Sequence, residues 1–309
     1  MHKAGIGQWF VYGVCRGALG LLRVLPVPVA KGAAFVGGLL AYRLLGHHRA
    51  IARVNTGIVF PGMSRRERDR IAARSFAHLG ELLIWVARFP GLLDPRKLRR
   101  VVRYEGFEHY GKVRDQGRAT LFLTAHLGPW ELLSFSHGVF TRPVHFIMRP
   151  LDYALFDRFI TRRRTLSGCV PILKKDALRK IVRALSQGED VGILLDQKVQ
   201  EGEGVFVDFF GRPASMARGP AGIARATGAA VLPAFITPDP EQKARFCFRI
   251  EPEIPIQKTA DREADDRENT QRFARAIEEA VRRDPEWWLW GHRRWRTRPP
   301  GTPDPYEGI

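Results

Sequence analysis

Between residues 119 and 251 the chain alternates two periodicities, and that alternation limits its fold more than any other feature. Short runs rich in aliphatic, β-branched and aromatic residues stand at 119–124 (ATLFLT), 143–148 (PVHFIM), 169–173 (CVPIL), 191–195 (VGILL), 229–236 (AAVLPAFI) and 246–251 (FCFRIE). Helix-period segments separate them at 129–139, 152–166, 176–187 and 216–227, and a last one follows at 265–284. Strand and helix in alternation predict an α/β fold, a largely parallel central sheet flanked by helices. An amphipathic helix is also expected between Ser64 and Leu93, with a Ser start signal and a Pro-Gly stop at 90–91. With 309 residues, 45% of them hydrophobic, the chain can bury a substantial core, and its 19 Phe and 7 Trp exclude a solvating, disordered tail. Three widely spaced cysteines, Cys15, Cys169 and Cys247, exclude a disulfide framework and a C-x-x-C metal knuckle, which suits a reducing compartment.

The net charge of +18 is unevenly spread. Residues 1–66 hold nine Lys or Arg and no acid, the first being Glu67. The same stretch carries two apolar runs, 6–22 and 32–46, each interrupted by arginine. A spanning helix needs about 20 consecutive apolar residues, and a central charge costs about 2.5–3.5 kcal/mol on insertion scales, so neither run is a clean span. Arg16 also breaks the h-region of a removable signal peptide, and no A-x-A site follows. Two readings remain: an N-terminal hydrophobic, membrane-associated helical segment whose Arg16, Arg23 and Arg43 snorkel to phosphate headgroups, or a buried helical hairpin opening the core. The expected division is a basic membrane-associating segment over 1–62, an α/β catalytic domain over 63–300 and an extended tail over 301–309.

Several motifs fail. Residues 106–113 (GFEHYGKV) match G-x-x-x-x-G-K, but Val113 replaces the metal-binding Ser or Thr. There is no G-x-S-x-G elbow, H-E-x-x-H or G-x-G-x-x-G. What remains is TAHLGPWELL at 124–133, with His126 and Glu131 five apart. It follows a buried-strand candidate; Gly128 allows a tight turn and Pro129 suits the start of a helix. His126 then stands at the C-terminal edge of a strand, where open α/β sheets bind ligands. On one continuous helix the pair would diverge by about 140°, so the turn is what lets the side chains meet. In that arrangement Glu131 accepts the proton on one ring nitrogen of His126 and leaves the other as a general base, beside a helix N-terminus that favours anions. The competing reading is structural: Glu131 complements the helix dipole and His126 is a capped turn residue.

TAHLGPWELL resembles the H-x4-E/D motif of the lysophospholipid/glycerol-phosphate acyltransferase superfamily, in particular that of the bacterial lipid A late (lauroyl and myristoyl) acyltransferases. IMRP at 147–150, GILLDQ at 192–197, the Phe-Gly and Gly-Pro-Ala stretch at 204–235 and WLWGHRRWRTRP at 288–299 resemble further segments of that family, in its order. The resemblance implies transfer of a fatty acyl chain from acyl-acyl carrier protein to a hydroxyl of a lipid A precursor, an anionic lipid acceptor, at the cytoplasmic face of the cell inner membrane. It implies His126 as base and Glu131 as its partner, with no metal and no bound organic cofactor. In a related reading the acceptor is another glycolipid, phospholipid or aminolipid; there the acidic residue is more often Asp, so Glu131 favours lipid A.

Arg149, at the end of the second strand candidate, suits an anionic headgroup or an oxyanion, or else a structural ion pair. Asp196 ends a strand at the same sheet edge and either positions a sugar or hydroxyl or caps the strand. The stretch 201–215, with Gly204, Phe206 and Ser215 as candidate substrate contacts, reads as a loop that walls an acyl channel or packs as core. From Trp287 to Arg298, tryptophans interleave with arginines, which suits a membrane interface or stacked nucleic-acid bases. No recognition-helix or RNP-type motif supports nucleic acid.

Overall fold

A computed structural model describes residues 6–150, 153–174 and 177–309. The starts of the helices expected at 152 and 176 lie outside the described residues. Three helices open the chain: α1 (Ile6–Val24), α2 (Val27–Leu44) and α3 (Gly46–Val59). Then comes α4 (Arg65–Arg88), entered through a capping box in which Ser64 and Glu67 satisfy each other's backbone N–H. After α5 (Pro95–Arg99) the alternating part begins: β1 (Val102–Glu105), α6 (Phe107–Asp115), β2 (Thr120–Thr124), α7 (Trp130–Phe140), β3 (Val144–Met148), α8 (Ala154–Arg164), β4 (Val170–Leu173), α9 (Ala177–Ser186) and β5 (Asp190–Leu194). A hairpin of β6 (Gly204–Phe209) and β7 (Arg212–Ala217) precedes α10 (Gly219–Thr227), β8 (Ala230–Pro238), β9 (Phe246–Ile250) and α11 (Arg262–Arg283).

The main sheet has the order β1-β9-β8-β2-β5-β3-β4. Every neighbouring pair is parallel except β8 with β9. A parallel sheet is covered on both faces, and its central strands accordingly read as continuous apolar runs; all five residues of β2 are buried. Their side chains alternate. Leu121 and Leu123 join a core with α3, α9, α10 and α11, while Phe122 joins a second core with α5, α6 and α7. The match to the phosphate loop at 106–113 lies in α6, a packed helix rather than a loop.

The N-terminal helices pack one face on the core and leave the other exposed. Tyr42, Ile51, Ala52 and Val59 face the core, and α2 lies along α4. The outer faces leave large apolar side chains in solvent, among them Trp9, Val14, Leu21, Val36 and Leu40. Among the described residues no single helix is long and apolar enough to cross a membrane; α2 and α3 reach that mark only together, bent by 93°.

The C-terminal stretch of tryptophans is not a surface. Trp290 and Trp295 are 0% and 2% exposed, and Trp288 is buried with them. They hold the chain end against α3: Asn55 donates to the carbonyls of Trp290 and His292, both at 2.7 Å. Tyr306, in a segment expected to run extended, is buried within turns. Its hydroxyl donates to Asn55 Oδ1 (2.6 Å) and accepts from Trp295 N–H (3.1 Å). The aromatic residues of this segment are anchors for a strap, which leaves them unavailable for stacking on bases. Tyr306→Phe strands the Trp295 N–H and the Asn55 oxygen in the interior, and urea unfolding at unchanged m is expected to show a loss of about 1–3 kcal/mol. A change below about 0.5 kcal/mol contradicts the strap.

Candidate active site

Two central strands end in the site. β2 and β5 are parallel neighbours with Thr124 opposite Leu194. Two residues further along each strand, at the same height on the sheet edge, stand His126 and Asp196. The ladder continues one step beyond the strands, Leu195 N–H donating to the Thr124 carbonyl at 3.0 Å. His126 Nδ1 and Asp196 Oδ1 are 2.8 Å apart, and Asp196 Oδ2 accepts the His126 backbone N–H at 3.1 Å. The turn that follows needs a glycine: Gly128 has φ +64°, and a Cβ there would sit 1.8 Å from the Ile236 carbonyl oxygen.

The strap fixes this pair from above. Trp288 Nε1–H donates to Asp196 Oδ2 at 2.8 Å, Leu289 N–H to the His126 carbonyl at 3.1 Å, and Gly128 N–H to the Trp287 carbonyl at 3.0 Å. On the other loop, His292 Nε2 accepts from Lys198 N–H at 3.2 Å; burial holds that imidazole down at about 4, so it is neutral.

Burial by itself pushes the Asp196 carboxyl upward, but the His126 imidazole, the Trp288 indole and the backbone N–H outweigh it and hold it at about 2. At neutral pH Asp196 is therefore an acceptor only, so in the neutral imidazole Nδ1 of His126 carries the proton and Nε2 the lone pair. Burial pulls His126 down, yet the Asp196 charge against Nδ1 prevails and the net shift is upward, with a smaller upward contribution from Glu131.

The expected hydrogen bond between His126 and Glu131 is not formed; Asp196 takes the ring nitrogen. Glu131, in the first turn of α7, is buried and engaged on both oxygens by Arg164 of α8, Arg164 Nε lying 2.7 Å from Oε2 and the terminal nitrogen bonding Oε1. The reason is register: β5 delivers Asp196 level with His126, whereas the Gly128 turn sends Glu131 toward α8.

His126, Glu131, Arg164 and Arg149 nonetheless line one cavity of about 190 Å³. It runs beneath His126 along β2 between Phe122, Phe146, Ile147 and Leu194, past the bare backbone of Gly192, to His137. His137 stacks edge-on against Phe122 (ring centroids 4.9 Å apart) and is backed by the buried Asp190, which accepts from Tyr110 hydroxyl at 2.6 Å. Arg149 is exposed at the rim.

Gly204, Phe206 and Ser215 lie outside that lining. The stretch read as a loop is the β6–β7 hairpin, and Phe209 and Phe210 are core. Gly204 answers a packing need, since a Cβ there would meet the Met216 carbonyl oxygen at 2.3 Å. Phe206 is a half-exposed hairpin residue. Buried Ser215 exchanges hydrogen bonds with Val199, and its carbonyl accepts from Arg294 at 2.6 Å, so it ties the Asp196 loop to the strap. Sequence reasoning passed over Arg164 and Trp288. Arg164 is the third of three consecutive arginines, which gave no sign of its direction. Trp288 belongs to the terminal signature, where its contact with Asp196 depends on the fold.

NMR titration of the His126 ring is expected to give a pKa above 6.5, and Asp196→Asn is expected to lower it, because the charge that holds the proton is gone. An unchanged midpoint in that variant contradicts the assigned pairing.

Residues 2–297 match the family model described as bacterial lipid A biosynthesis acyltransferase. The chain is 29% identical over 294 residues to the lipid A biosynthesis lauroyltransferase of Escherichia coli (strain K12), spanning 94% of this chain and 92% of that protein. It is 30% identical over 302 residues to the palmitoleoyltransferase of the same organism, spanning 96% and 94%. To the myristoyltransferase of that organism it is 24% identical over 271 residues, spanning 87% and 82%. These relatives are named for different acyl chains at similar identity, so identity does not distinguish a chain type. The chain belongs to the bacterial lipid A biosynthesis acyltransferase family.

Proposed function

We propose that this acyltransferase moves a fatty acyl chain from acyl-acyl carrier protein to a hydroxyl of a lipid A precursor, at the cytoplasmic face of the inner membrane, with His126 as general base. The observation that carries the reading is an imidazole whose Nδ1 is committed to a carboxylate while its ring borders an apolar cavity. In the reaction Nε2 takes the proton of the acceptor hydroxyl as its oxygen attacks the thioester carbonyl carbon. The tetrahedral oxyanion then collapses, the C–S bond breaks, and the departing sulfur takes the proton back from the imidazolium. Asp196 stabilises that imidazolium and fixes the tautomer. Glu131 raises the basicity of His126 through its charge and holds Arg164, whose remaining N–H groups stabilise the oxyanion. The acyl chain occupies the cavity beneath His126, and Arg149 at its rim meets the anionic acceptor.

Membrane docking is supported by the apolar outer faces of α1 and α2 and by nine basic residues before the first acid. Each Lys or Arg near an anionic surface contributes about 1 kcal/mol.

With purified acyl-acyl carrier protein and lipid A precursor, His126→Ala is expected to lower transfer by at least about 100-fold with its fold intact. Retention of activity within about tenfold removes His126 as the base. Loss of one acyl group from lipid A in a deletion strain, read by mass spectrometry, supports the acceptor; an unchanged profile moves the assignment to another lipid. Gly192→Val narrows the cavity and is expected to shift donor preference to shorter chains; an unaltered chain profile places the acyl group elsewhere.

A further inference from the structure

A second cavity, of about 510 Å³, lies on the far side of α8 from the active site, between α8 and α1. Arg16 of α1 and Arg158, Arg162 and Arg163 of α8 line it, and no acidic side chain does so among the described residues. Arg16 donates to the Tyr12 hydroxyl at 3.0 Å, and Arg163 lies over the Phe159 ring at 5.0 Å, so the cations are set around an aromatic floor. Burial, and then the charges of Arg23, Arg16 and Arg162, draw the Arg163 pKa below its ordinary value. Like charges gathered this closely oppose the compact state unless an anion joins them. Guanidinium groups bind phosphate through paired, directed N–H donors. The aromatic floor, the exposed Trp9 and the apolar Leu155 and Leu166 in the same lining favour an anion that carries hydrocarbon over a free ion.

The position is informative. Arg164, next in sequence to Arg163, points from the opposite face of α8 to Glu131 in the active site. The two sites are therefore separated by one helix, about 10–12 Å across.

We propose that the α1–α8 cavity binds the phosphate monoester of the lipid acceptor and thereby sets which hydroxyl reaches His126. Its ligand class rests on the acyl-transfer reading; the anion site itself rests on the four arginines.

The test begins with calorimetry on the full chain in detergent, using dihexanoyl phosphatidic acid, dihexanoyl phosphatidylcholine and inorganic phosphate as probes. Phosphatidic acid is expected to bind, inorganic phosphate at least about tenfold more weakly, and phosphatidylcholine not measurably. The triple variant Arg16→Ala/Arg158→Ala/Arg162→Ala is expected to lose at least about tenfold in affinity, with most of it kept in the corresponding Lys variant. Equal binding to the Ala variant overturns the site; equal binding of inorganic phosphate overturns the lipid as its occupant. In transfer assays the Ala variant is expected to raise KM for a phosphorylated acceptor by about tenfold with kcat changed by less than about threefold. An unchanged KM overturns the acceptor assignment. A wild-type protein that transfers no acyl group refutes the catalytic reading, and calorimetry still decides the fate of the anion site.

Discussion

The hydrogen bond between His126 Nδ1 and Asp196 is the interaction on which the rest of the site depends, and it is a product of strand register. Thr124 opposite Leu194 in a parallel ladder fixes the height of both strand ends, so the two side chains meet without any local sequence signal joining them. A slip of one residue would turn every side chain of a strand to the other face and separate them. Burial on both faces of β2 and the nearly continuous apolar run of β5 are what hold that register. The carboxylate is then kept ionised in the interior by three donors, from the His126 ring, the His126 backbone and Trp288. A buried charge without such partners would be strongly destabilising.

The strap from Trp287 to Tyr306 extends this logic across the molecule. Its backbone pairs with the His126 turn and its indole with Asp196, while its own anchors are Asn55 of α3 and the carbonyl of Ser215 on the hairpin. Helix α3 is thereby tied to the loops that carry His126 and Asp196 through buried polar contacts. The exposed apolar faces of α1 and α2 are packed through α4 onto the same body that holds His126, which suits the proposed lipid acceptor.

Much of the fold was legible because burial leaves a mark on composition. The six strands read from the sequence are mostly apolar runs bounded by turns, five of them inside the sheet and one, β4, at its edge. β1 was missed: Val102–Glu105 is a short edge strand whose last three residues are only partly buried. The β6–β7 hairpin was read as a loop because glycines, Pro213 and Asp208 interrupt its pattern, although Phe209 and Met216 are core. The tryptophans of the strap resembled a surface because arginines flank them, yet Arg294 is itself buried against Phe209, its pKa drawn down to about 10 by desolvation. In the site, His126 was found by its place at a strand end, and Glu131 by its spacing. Asp196 was placed at the correct edge but not paired with His126, since that contact spans 70 residues and only the sheet order brings it about.

The central claim is that Asp196, and not Glu131, sets the protonation of His126, the proposed base. The pH dependence of kcat/KM for acyl transfer, compared in wild type, Asp196→Asn and Glu131→Gln, tests it most directly. The account predicts a wild-type ascending limb above 6.5, moved to lower pH by Asp196→Asn and displaced less by Glu131→Gln. A limb that stays in place in Asp196→Asn, or moves further in Glu131→Gln, contradicts it.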